Sequence, residues 1–103
     1  MKPEIEELMR QGAINAVGSW RAQGCEYASI VDGVPRPWDP RPTELIFADA
    51  AQRGVEVLSL ANTDHVTSIR SAIFKYIERS LGASQAEVAT LKLGAVDVRR
   101  FNN

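Results

Sequence analysis

Cysteine and histidine are almost missing from this chain of 103 residues, with Cys25 and His65 each standing alone. A single cysteine cannot close an internal disulfide, which points to a reducing cytoplasm. A single histidine leaves no histidine-rich metal cradle. No run of about 20 apolar residues is available to span a bilayer, and residues 1–10, acidic and amphipathic, lack the continuous apolar core of a signal peptide. An excess of charge is absent as well. The formal net charge of −1 denies the molecule any overall attraction to nucleic acid or anionic lipid. No phosphate loop, dinucleotide fingerprint or Gly-x-Ser-x-Gly elbow surrounds any serine. The expectation is a cytoplasmic protein, not an enzyme, with no cofactor, no metal and no membrane association.

What is present is the composition of an ordinary folded domain, 45% hydrophobic and 24% charged. At this length one domain with one modest core is expected. Its charge is unevenly spread: residues 1–61 hold nine acids against six bases, and residues 62–103 six bases against four acids. Two solvated faces explain so mild a split more simply than a designed patch.

The strongest local signal lies at 62–81, where Val66, Ile69, Ile73, Tyr76, Ile77 and Leu81 recur at three- and four-residue steps and so share one face of a helix. Asn62 and Thr63 suit its N-terminal cap, Asp64 its positive end, and Gly82 a left-handed stop. A first helix is predicted over 3–23, with Pro3 in the first turn, a stripe of Ile5, Leu8, Met9, Ala13, Ala16, Val17 and Trp20, and Gly24 at its end. Its small residues, Gly12 and Ala13 with Ala16, beside Trp20, suggest close helix packing across a homodimer.

Residues 25–31 are β-prone, and Asp32 with Gly33 forms a turn signal that folds the chain back onto Val34 as a short hairpin. Four of the five prolines then fall within 35–42. Proline fixes φ and donates no hydrogen bond, so this crossing segment is expected to be extended and polyproline-like, not helix or central strand. Thr43 is the expected N-cap of a helix running to about Arg53, stopped at Gly54. Residues 55–60 admit a strand or a turn with a short helix, and the shortage of pairing strands favours the latter. A last helix is expected from the capping box at Ser84 to Glu87, burying Val88 and Leu91. Val96, Val98 and Phe101 suit a docked extension, and residues 99–103 should fray. The fold class is mainly α, about four helices with a small β element near residues 25–34, in a single small domain.

Three constellations carry chemistry worth weighing. The run 54–68, which contains Thr63, Asp64 and His65, resembles the Thr-Asp-His strand end of the polymerase-and-histidinol-phosphatase metal-dependent phosphoesterases, which would imply a metal centre. That family spreads several histidines and acids over a barrel, and this chain has neither the histidines nor the length. Ala50, Gly54 and Val55, followed by Leu58 and Leu60, resemble a helix-turn-helix. That implies DNA binding through residues 43–62, helped by a basic stripe of Arg70, Lys75 and Arg79. The would-be recognition helix, however, offers no Lys or Arg for phosphate.

The proline segment holds the third constellation: Trp38, flanked by Asp39, Arg36 and Arg41. Trp and Arg anchor interfaces more than other residues do, and a polyproline chain is already ordered before it binds. The competing reading tucks Trp38 into the domain's own core. The functional expectation is a small regulatory or adaptor protein of bacterial or phage type, binding another protein and forming a homodimer. DNA binding is the alternative.

Overall fold

The computed structural model describes residues 3–93, with side chains described as far as Arg79. Helix α1 spans Pro3–Ala22. Pro3 sits where a missing N–H costs nothing, and Glu4 and Glu6 complement the helix dipole. Gly24, at φ 88°, closes the helix, and the Cys25 N–H reaches back to the Trp20 carbonyl at 3.0 Å.

Strands β1 (Tyr27–Val31) and β2 (Val34–Pro37) form the expected hairpin. Asp32 and Gly33 have φ of 53° and 76°, the double left-handed geometry of a tight turn whose twist matches its strands. The proline segment is extended and outside any central strand, as expected, but its first part is paired strand and not a free polyproline run. Pro35 and Pro37 lie inside β2, opposite Ile30 and Ala28. They are tolerated because β2 is an edge strand, in the order β2-β1-β3. Hydrogen-bonded pairs alternate along an antiparallel ladder. Ser29 with Arg36 and Val31 with Val34 are the bonded pairs, so the two prolines fall on positions that face away from β1. The pattern continues beyond the strand, where the Trp38 N–H donates to the Tyr27 carbonyl at 2.9 Å.

Helix α2 covers Thr43–Arg53. Its cap is Pro42, with no side-chain cap bond, so Thr43 is the first helical residue rather than the cap. Gly54 ends it in the left-handed region at φ 70°, as expected. Strand β3 (Leu58–Ser59) then pairs antiparallel with β1, Leu58 facing Ala28 and Ser59 facing Tyr27. The preferred turn-and-helix reading of 55–60 is therefore overturned: β1, with β2 on one side, offers its other side to this segment.

Helix α3 runs over Thr63–Leu93. Asn62 caps it, its Oδ1 accepting from the backbone N–H of Asp64 at 2.9 Å and His65 at 3.1 Å. The expected stop at Gly82 and a separate fourth helix from Ser84 do not occur, and α3 is continuous through both. An interior glycine costs about 1 kcal/mol against alanine. The good helix formers around it, Ala83, Gln85, Ala86 and Glu87, offset that. The fold is thus a small, mainly helical domain of three helices and a three-stranded antiparallel sheet among the described residues. The side chains of Leu81, Val88 and Leu91 and the segment 94–103, with its expected strand and frayed end, lie outside them.

The sheet separates two cores. On one face α1 and α3 pack together, burying Met9, Ala13, Ala16, Val17 and Trp20 against Val66, Ile69, Ile73 and Ile77. Ala28, Leu58 and Leu60 complete that core from the sheet side. On the other face α2 lays Ile46 and Ala50 on Trp38, with Tyr27, Val55 and Val57 around them. Alternation along β1 sends Ala28 to the first core and Tyr27 to the second.

Candidate partner-binding site

Trp38 is the first expectation the structure corrects. Its exposure is 0%, and the ring is the centre of the second core, closed to any partner. The indole Nε1 donates to Ser29 Oγ at 2.9 Å, and Ser29 Oγ donates in turn to the Glu56 carbonyl. Ser29 is itself fully buried, so this chain satisfies polar groups that would otherwise be costly. Arg41 and Arg53 lie over the ring with guanidinium carbons 5.6 and 5.5 Å from its centroid. Asp49 holds both, at 2.8 Å from Arg41 and 3.7 Å from Arg53. The hydrogen bond from Arg41 holds the Asp49 carboxyl below its ordinary range; partial burial opposes this, and the charges of Arg53 and Arg41 reinforce it. Arg41 therefore clamps the domain's own tryptophan. Arg36 and Asp39 are half-buried beside it, without an exposed anchor between them.

The small residues of α1 are corrected in the same way. Gly12, Ala13, Ala16 and Trp20 are buried against α3 of their own chain, not free for a second copy. The helix-turn-helix reading loses its second helix to β3. The basic stripe also divides. Arg70 and Arg79 sit about half a turn apart around α3, and Arg79 donates to the Gly33 carbonyl at 3.1 Å, fastening the hairpin turn.

What the fold does assemble is a cleft of about 430 Å³ between α1 and α3, lined among others by Arg10, Ile14, Arg70, Phe74 and Lys75. The Arg70 Nε is buried and has no hydrogen-bond partner. Arg10 is already held by Glu7 at 2.9 Å and Glu6 at 3.3 Å, whereas neither Arg70 nor Lys75 has an ion pair among the described residues. Ile14 is 37% exposed on the rim. The cleft combines uncompensated positive charge with apolar wall, the chemistry of an interface anchor. Of its residues, the sequence had marked Arg70 and Lys75. Ile14 and Phe74 were missed although both are apolar residues lying off their helix's main stripe. Their off-stripe placement was the available signal.

Two other features close surfaces instead of opening them. His65 Nδ1 accepts the Ser59 N–H at 2.8 Å, tying the outer edge of β3 to the start of α3. The Arg21 guanidinium binds the Leu60 carbonyl, with Nε at 3.0 Å and a second nitrogen also in contact. His65 thus has a structural bond that uses its ring lone pair. Among the described residues no three His, Cys, Asp or Glu side chains come together as a metal-binding set, and no helix there is long and apolar enough to cross a membrane. Compared with known proteins, the chain matches no protein-family model, no curated protein and no solved structure.

Proposed function

We propose that this chain is a small non-catalytic regulatory or adaptor protein that acts by binding another protein, and that the partner docks in the cleft between α1 and α3. The observation that carries the reading is the positive charge of Arg70 and Lys75, without an ion pair among the described residues, on the lining of a partly apolar cleft. The proline segment no longer competes as the docking surface, since its tryptophan is spent on the fold. Strand addition is disfavoured too, because prolines occupy the outward positions of β2 and His65 takes an outward N–H of β3.

Affinity capture from the native host, read by mass spectrometry, tests the proposal when repeated with Arg70→Met and with Trp38→Phe. The expected result is a protein recovered with wild type and Trp38→Phe and lost with Arg70→Met, circular dichroism showing all three folded. An identical set of captured proteins from wild type and a folded Arg70→Met variant overturns it.

A further inference from the structure

We infer that the occupant of the α1/α3 cleft is an acidic amphipathic helix of the partner, setting a carboxylate on Arg70 and an apolar side chain on Ile14 and Phe74, with Lys75 adding positive charge at the cleft's exposed rim. This rests on the partner-docking reading above and names the partner's chemistry. Three observations support it.

The first is charge. Arg10 is neutralised by Glu6 and Glu7 within α1. Arg70 and Lys75 bring two positive charges to the lining with no described counter-charge of their own. A guanidinium facing a carboxylate gains charge-assisted hydrogen bonds in a geometry that Lys cannot copy. The second is dimension. The lining extends from Glu6 to Ile14 on α1 and from Thr67 to Lys75 on α3, in each case a little over two helical turns, about 12 Å. That length accommodates a helix presenting side chains at i, i+3 or i+4, and i+7, the spacing by which helices are read in grooves. The third is the closed sheet. A segment that bound by strand addition would need a free strand edge, and both edges are blocked; a helix satisfies its own backbone.

The probe is a short amphipathic helical peptide carrying Glu and Leu four residues apart on one face, compared with the same peptide bearing Gln for Glu, and with hexanoate as a free carboxylate. Binding is followed by amide chemical shifts and by fluorescence anisotropy. The Glu peptide is expected to shift the amides of Ile14, Arg70 and Phe74, and the Gln peptide to bind at least about tenfold more weakly. Arg70→Met should weaken the Glu peptide on the order of thirtyfold. Lys75→Glu, on the exposed face of α3 where folding is not at stake, should weaken it in the same direction.

Equal binding of the Glu and Gln peptides, shifts that map away from the cleft, or hexanoate binding as tightly as the peptide would each overturn the acidic helix. Host capture that still depends on Arg70 while the Glu peptide fails would retain the docking reading and discard only this occupant.

Discussion

Replacing Trp38 with alanine separates a core tryptophan from an interface tryptophan. The side chain is wholly buried between α2 and the sheet. Truncating a buried Trp to Ala costs about 3–5 kcal/mol in lost transfer energy and residual cavity. Ser29 Oγ also loses the indole donor, adding about 1 kcal/mol. The sum, about 4–6 kcal/mol, compares with a total stability of about 5–15 kcal/mol for a domain. With a urea dependence of about 1–3 kcal/mol per molar, the unfolding midpoint should fall by at least about 1.3 M. Trp38→Phe retains an aromatic ring and removes the donor, so its loss should be smaller, about 1–3 kcal/mol. Far-UV circular dichroism in urea is the assay, since removing Trp38 compromises fluorescence as a probe. Should Trp38→Ala change the stability by less than about 0.5 kcal/mol, the range of ordinary surface substitutions, the buried assignment fails and the ring belongs to an interface.

Three further outcomes follow from the same geometry. Gly33→Ala should destabilise by about 1 kcal/mol or more, because its φ is 76°, and the added Cβ would also displace the Arg79 guanidinium from the turn; thermal unfolding against wild type measures it, and an unchanged midpoint contradicts the turn geometry. Asp49 has a carboxyl pKa lowered on folding, so its contribution is present above the ordinary carboxylate range and is lost as pH falls through the folded value. Asp49→Asn should therefore flatten the acid limb of stability against pH in urea titrations, and parallel profiles for the two proteins would refute the Arg41 clamp. Replacing Pro35 and Pro37 together with valine adds two N–H groups that face away from β1 at fully buried positions, and a buried donor without an acceptor costs about 1–3 kcal/mol; thermal unfolding should show a lowered midpoint, and an unchanged one would refute the placement of the prolines on the covered side of β2.

Much of the local structure was legible because its causes are local. Pro3 and Gly24 bound α1, Asp32 with Gly33 specifies a tight hairpin, Gly54 ends α2, and Asn62 caps α3; each acts through φ or a hydrogen bond within a few residues. The apolar spacing of Val66, Ile69, Ile73 and Ile77 foretold the buried face of α3 for the same reason. Gly82 shows the limit of such signals. A stop residue is only a preference of about 1 kcal/mol, and the helix formers around it prevail.

Tertiary structure decided which surfaces are covered and which stay open. Residues 55–60 carry an ambiguous pattern, and they became β3 because β1 offered a free edge there, a partner far away in the chain. Pro35 and Pro37 could join a strand only because pairing on one side alone leaves their missing N–H groups pointing outward. Whether Trp38 is core or anchor depends on Ile46 and Ala50 lying over it and on Ser29 meeting its N–H. The small residues of α1 found α3 of their own chain. The same packing gathered Arg70, Lys75, Ile14 and Phe74 into one cleft from positions about sixty residues apart in the chain. Sequence alone set where the chain turns, caps and alternates, because those are near-neighbour effects. Which faces were buried and which charges were left uncompensated was settled by contacts between distant segments.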